Sequence, residues 1–333
     1  MKLPLKYHDG KRVETIRASL RASARRYSSR PAIMQKLAGA YREISYAELL
    51  YKVEGLGTEL LERGFYGKKI IIYGESCLEW ATVFLAATCG LSVAVTVDKD
   101  IDSAELSMIA EKTEAAAIFY SSRLEENVAS LNIKKFSFNS LEALIEEGAE
   151  KLACGNTSYL RLSIDEGDLA VISFGKNQSG GAKGIMLSQK NIAVNVNGLN
   201  EWENLYETDV NLAILPFHHA FGMTQIMLFL SDGMCNVFCE GLKIAKALVE
   251  YKVSVLVAVP LIFEKMRATV EKEIKKLGIE KTFNTGRKIS SVLMFFGIDV
   301  RRKLFKKIID KFQYGLANVA PAEYANPRLS RIS

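Results

Sequence analysis

The residues of this chain best suited to chemistry gather between Ser173 and Ser188, where the sequence reads Ser-Phe-Gly-Lys-Asn-Gln-Ser-Gly-Gly-Ala-Lys-Gly-Ile-Met-Leu-Ser. Four glycines and two lysines directly follow an apolar run, residues 169–174. Glycines let a backbone turn tightly and aim N–H groups at a phosphate, and lysine adds positive charge. The stretch is not a Walker loop, because Gly181 stands where the lysine after Gly175 and Gly180 belongs. It is not Gly-x-Gly-x-x-Gly either. On residue types alone, an anion-binding loop and an ordinary surface turn both fit it.

His218 and His219 form the second candidate. They open an apolar stretch, Phe221-Gly222-Met223-Thr224-Gln225-Ile226-Met227-Leu228, that fits a buried core helix first and the wall of an apolar tunnel second. A packed histidine at a helix start is the plain alternative to a site residue. No acid lies near the pair in sequence, so general-base chemistry is not expected. The catalytic residue stays unassigned. Gly74-Glu75-Ser76 has Leu78 where a nucleophile elbow needs its last glycine, which disfavours a serine hydrolase. Cys77, Cys89, Cys154, Cys235 and Cys239 are odd in number and lie mostly in apolar runs, as reduced packed thiols do. No metal site is expected at Cys235 and Cys239, which lack a neighbouring Cys or His cluster.

The elements that must hold these residues alternate. Val13, Ile16, Leu20 and Ala24 recur at helical spacing over residues 12–28, and Pro31 ends that run. A hairpin comes next, at 32–37 and 41–44. Ser45 with Glu48 reads as a capping box before Leu49, Val53, Leu56 and Leu60. Strands are expected at 69–73, 92–97, 116–120 and 135–138, with helices at 78–89, 103–112 and 141–151. After a polar junction at 164–168 come a strand at 169–174 and a helix from Ser188 to Leu205. Strands at 212–215, 236–238 and 253–259 then alternate with helices near 221–230 and 244–251. Long helices start at Pro260 and near Gly286, the last reaching Phe312. Such alternation predicts an α/β fold of mostly parallel sheets covered by helices on both faces. At 333 residues, two packed α/β subdomains are expected, 1–165 and 166–312, with an irregular tail at 313–333.

The net charge of +6 is uneven: residues 1–30 carry nine Lys/Arg against two acids, and 265–311 carry fourteen against five. Solvated helix faces account for this, as does attraction to a nucleotide, to coenzyme A phosphates or to a membrane surface. No basic cluster is interleaved with aromatics, so nucleic acid is not an expected partner. The first residues lack the apolar core of a signal peptide, and no apolar run reaches the ~18 residues of a membrane span. A cytoplasmic location, peripheral to membrane at most, is the expectation.

Residues 183–191, Lys-Gly-Ile-Met-Leu-Ser-Gln-Lys-Asn, resemble the second half of the phosphate loop of adenylate-forming enzymes. That loop runs Ser/Thr-Gly-Thr-Thr-Gly-x-Pro-Lys-Gly-Val, then Leu-Ser-His and Asn. Gly74-Glu75-Ser76-Cys77-Leu78-Glu79-Trp80 is similar to the family's Glu-Asn-x-x-Glu-Trp segment. Leu215-Pro216-Phe217-His218-His219 is similar to its Leu-Pro-x-x-His segment, and Val259-Pro260 to a later Val-Pro. Arg301-Arg302-Lys303-Leu304-Phe305 resembles the basic helix of long-chain acyl-CoA synthetases. The likeness covers about residues 15–312. It implies an incomplete N-terminal domain of an acyl-CoA synthetase, an enzyme family that joins a carboxylic acid to AMP with Mg2+ and ATP, releases pyrophosphate, and passes the acyl group to coenzyme A (CoA). It also implies a fatty, long-chain acid as substrate. Ser179, Gly180, Lys183 and Gly184 would be what remains of the ATP phosphate site, and His219 and Gly222 would border the acyl pocket.

The departures shape what to expect. Gly175, Lys176, Asn177 and Gln178 stand where the family places Ser/Thr-Ser-Gly-Thr. Each lost charge-assisted hydrogen bond to phosphate is worth about 1.5–3 kcal/mol, and Lys176 supplies charge without that geometry. The resemblance further implies adenine, ribose and catalytic-lysine segments beyond Phe312, and the sequence there does not match them. A truncated or frame-shifted chain, inactive alone, is therefore expected. It would act with a C-terminal part on another chain, or be a remnant that binds acyl chains without ligase activity. Bare strand edges and poor solubility would result.

Overall fold

The computed structural model describes residues 12–37, 40–175, 183–202, 205–239, 244–276, 278–295 and 300. Chain contacts divide the protein into two units, the first made of residues up to 208 with Leu215–Phe238 and the second of Asp209–Ile214 with residues from Cys239 on. This division differs from the boundary expected at 165/166. The strand after the 164–168 junction joins the sheet that precedes it, because its apolar run Leu-Ala-Val-Ile-Ser-Phe finds a parallel partner there.

In the first unit α1 (Ile16–Arg26) starts at Thr15, whose hydroxyl accepts from Ala18 N at 3.2 Å. β1 (Pro31–Leu37) and β2 (Ala40–Ser45) pair antiparallel. Ser45 then begins α2 (Tyr46–Glu62) with the expected reciprocal cap: Glu48 N donates to Ser45 Oγ at 3.2 Å, and Ser45 N donates to the Glu48 carboxylate at 2.7 Å. After it come β3 (Lys69–Tyr73), α3 (Leu78–Thr88), β4 (Val93–Val97), α4 (Ser103–Thr113), β5 (Ala115–Tyr120), the short α5 (Glu125–Val128), β6 (Lys134–Ser137) and α6 (Leu141–Ala153). β7 (Leu169–Phe174), β8 (Gly184–Ser188) and α7 (Gln189–Trp202) complete its middle portion.

The main sheet has the order β6-β5-β3-β4-β7-β8 and is parallel except for β8, which runs antiparallel to β7. Alternation along the strands gives each face its own lining. Ile71, Tyr73, Val95, Val97 and Ile118 cluster with Leu106, Ile109 and Ala110 of α4. Ile70, Ile72, Ala94 and Thr96 are left for the other face. α2 and α6 cross with almost no room between them, since a methyl group on Gly148 would come within 1.9 Å of the Gly55 carbonyl oxygen. Glycine at that crossing lets the two backbones touch.

In the second unit β9 (Val210–Leu212) bridges Val255 in parallel through Asn211. Val255 alone makes that bridge, in place of the strand expected over 253–259. The chain then returns to the first unit for α8 (Ala220–Ser231) and β10 (Cys235–Cys239), where β1 lies between β2 and β10. α9 (Ile244–Glu250), α10 (Pro260–Lys276) and α11 (Glu280–Phe295) are helices of the second unit. α11 begins earlier than the expected Gly286, and the rest of that expected helix, the 301–305 segment and the 313–333 tail lie outside the described residues. No helix among the described residues is long and apolar enough to cross a membrane.

Candidate functional site

Parallel α/β sheets place ligands at the C-terminal ends of their strands, where backbone N–H groups and loops converge. Here those ends are the loop after β3 (Gly74–Cys77), Thr96 to Asp98 at the end of β4, and Ser173 to Gly175 at the end of β7. The Phe217–His219 turn lies across all of them. Phe217 N donates to Ser76 Oγ at 3.1 Å. Thr96 Oγ1 and Ser173 Oγ both donate to the His218 carbonyl, at 3.0 and 2.5 Å. The two oxygen lone pairs of one carbonyl are thus used by hydroxyls from two strands.

The two histidine rings lie 4.1 Å apart between centroids, yet they sit differently. His218 is buried, and its Nε2 has no hydrogen-bond partner, the Asp98 carboxylate lying 3.6 Å away. Burial, then the neighbouring His219, pushes the pKa of its imidazole down to about 4, against an opposite pull from Asp98. It is therefore neutral near pH 7. His219 is exposed and stands at the N-cap of α8 without making a side-chain capping bond. Its ring faces Gly175: a methyl group built there would lie 3.2 Å from His219 Cε1.

β7 and β8 form a hairpin whose open end pairs Phe174 with Gly184, so the chain leaves at Gly175 and returns at Lys183. The residues between, 176–182, include the expected Ser179 and Gly180 and lie outside the described residues. Lys183 is exposed at the hairpin's mouth. Gly184 has a packing reason to be glycine, as a methyl group would press within 2.7 Å of Ile172 and Phe174. Ser188 caps α7, accepting from Asn191 N at 3.2 Å, as its place in the sequence suggests.

Gly222 is buried where α8 rides over the preceding turn; a methyl group would approach the Pro216 carbonyl oxygen to 2.2 Å. The missing side chain fixes how closely the helix approaches that turn, and so where His219 stands. The residues that sequence reading missed are Thr96, Asp98 and Ser173. Two hydroxyls inside the apolar runs Val-Ala-Val-Thr-Val and Leu-Ala-Val-Ile-Ser-Phe were a visible signal. Cys77 caps α3 through its sulfur, and burial pushes its thiol well up, so it is no nucleophile. The five cysteines form no disulfide. Among the described residues no group of three or more His, Cys, Asp or Glu is arranged to hold a metal ion.

A mostly parallel sheet covered by helices, with a glycine-containing hairpin and a histidine turn at the C-terminal ends of its strands, defines an α/β protein of the open-sheet class. The chain belongs to the AMP-binding enzyme family, whose pattern matches residues 20–321. It is 24% identical over 294 residues to fatty acyl-CoA synthetase B of Dictyostelium discoideum, an alignment covering 79% of this chain and 44% of that protein. It is similar in fold to VinN, with a TM-score of 0.71 at 16% identity over 80% of this chain and 66% of that one. The N-terminal domain of FACL13 from Mycobacterium tuberculosis superposes with a TM-score of 0.66 at 17% identity, over 77% of this chain and 65% of that one. The chain thus spans less than half the length of the synthetase it resembles. The family is that of acyl-CoA-synthetase-like adenylate-forming enzymes, and the fold is that of their N-terminal domains.

Proposed function

We propose that this chain holds the polyphosphate of ATP and a fatty carboxylic acid side by side, the arrangement from which adenylate-forming enzymes make an acyl adenylate. The observation that supports this best is the meeting of Gly175 with His219 at the C-terminal edge of the sheet. It brings the phosphate-loop segment and the histidine segment, 44 residues apart in sequence (219 − 175), to one place. Lys183 at the hairpin mouth supplies charge to a phosphate, and Ser179, Gly180 and the Gly184 backbone belong to the same loop by resemblance. His219 and the turn packed on Gly222 border the carboxylate of the acid. Neutral His218 adds no charge behind it.

ATP supplies the adenylyl group when bound; this chain's residues bind and orient it. Mg2+ would enter on the nucleotide's own phosphates, as it does where few protein carboxylates are offered. CoA belongs to the second half-reaction of the relatives, and no residue is assigned to it. Gly175, Lys176, Asn177 and Gln178, in place of loop hydroxyls, favour nucleotide affinity and adenylation well below those of a complete loop. That substitution also favours a second reading, an acyl-binding module without ligase activity.

Acid-dependent exchange of radiolabelled pyrophosphate into ATP, run beside fatty-acid binding, separates the two. The proposal expects ATP binding with exchange slow or absent in the chain alone. Fatty-acid binding without any ATP binding selects the second reading, and exchange at the rate of a complete synthetase contradicts the weakened loop.

A further inference from the structure

Two side-chain hydroxyls from neighbouring buried strands of the main sheet converge on one backbone atom. Thr96 is fully buried in β4 and Ser173 nearly so in β7. Burying a hydroxyl costs about 1–3 kcal/mol unless it is hydrogen-bonded, and valine or alanine would fill either place without that cost. Both hydroxyls instead satisfy themselves on the His218 carbonyl, at 3.0 and 2.5 Å. Ser76 takes the amide of the residue before, Phe217. The turn is thereby tied to the ends of three strand-loop units, although the 122-residue and 45-residue separations make it no local motif.

Directly after the tied carbonyl comes His219, whose imidazole makes no capping bond that would hold it elsewhere. Gly175, two residues after Ser173, offers that ring a bare backbone surface. Strand β7 therefore supplies both the clamp on the turn and the floor under the ring. Movement of the carbonyl would carry His219 off that floor.

We propose that Thr96 and Ser173 are positioning residues: their hydroxyls clamp the His218 carbonyl so that the His219 imidazole is set against Gly175, on the side of the site that borders the acid's carboxylate. The consequence for ligand binding rests on the proposed acid site; the placement of the ring does not.

The test uses the full chain with Thr96→Val and Ser173→Ala, separately and together. His219 Cε1–H is followed by NMR, assigned with His8→Gln and His219→Gln, and affinity for a long-chain fatty acid, palmitate, is measured on the same samples. The hydroxyl-free variants should shift the His219 resonance without ligand and weaken palmitate binding by about tenfold, the loss expected when one hydrogen bond to its carboxylate goes. Thr96→Ser, which keeps the hydroxyl, should leave both near the parent. Ile109→Val, a core change in α4 of similar stability cost, should leave the resonance unmoved. An unshifted His219 resonance in a folded Thr96→Val variant overturns the proposal. The single near-isosteric variant decides the matter should the double variant not fold. A shifted resonance with no palmitate binding in the parent chain keeps the clamp and removes the acid-site reading instead.

Discussion

Gly175 and His219 meet at the mouth of the β7–β8 hairpin, the imidazole Cε1 lying 3.2 Å from where a Gly175 side chain would begin and Nδ1 3.6 Å. Glycine there is a matter of room, because its φ is not in the left-handed region. Gly175→Val should push the ring aside while leaving the sheet intact. His219 Cε1–H should shift, with a stability change of about 1 kcal/mol or less read from urea unfolding. An unmoved resonance would mean that the two residues do not share this contact.

Gly148→Ala tests the frame beneath the site. The added methyl would collide with the Gly55 carbonyl oxygen, which cannot withdraw without moving α2. A loss of about 2–3 kcal/mol is expected, measured as a lower denaturant midpoint. A neutral outcome would show that α2 and α6 pack less closely than this geometry requires.

Gly222→Ala carries a similar clash, 2.2 Å from the Pro216 carbonyl oxygen. It should cost about 1–3 kcal/mol and displace the N-terminus of α8. Because His219 stands at that terminus, its resonance should move with the loss of stability. Lower stability with an unchanged His219 signal would separate the helix packing from the site.

Several of these features are legible in the sequence, and the reason is distance along the chain. The Ser45–Glu48 cap, the α3 core helix and the Ser188 cap depend on residues a few places apart, and each forms as their types and spacing predict. β8 carries no such signal, because strand character at Gly-Ile-Met-Leu-Ser comes from pairing with β7 and leaves Ile185 and Met186 exposed. The absence of an acid near His218 holds only along the sequence. The end of β4 brings Asp98 to it, 120 residues away (218 − 98). The likeness to adenylate-forming enzymes points to His219 and Lys183, whereas the hydroxyl clamp on the intervening carbonyl requires the strand order.

His218 also predicts a pH dependence. The pKa of its folded imidazole is lowered from 6.5 to about 4. Between those values the unfolded chain takes up a proton that the folded chain refuses, so stability present above pH 6.5 is lost as pH falls toward 4. The loss should reach about 2–3 kcal/mol. Denaturant midpoints across this range should flatten in His218→Gln after other groups are accounted for by difference. An equal slope in both proteins would place the proton uptake elsewhere.

Equilibrium binding of ATP and AMP by calorimetry, on the parent chain and Lys183→Ala, tests the nucleotide site most directly. ATP should bind more tightly than AMP, because the lysine at the hairpin mouth meets phosphates that AMP lacks. Lys183→Ala should weaken ATP by about tenfold and leave AMP unchanged. Equal affinities for the two nucleotides, or an ATP affinity indifferent to Lys183, would contradict a polyphosphate site at this hairpin.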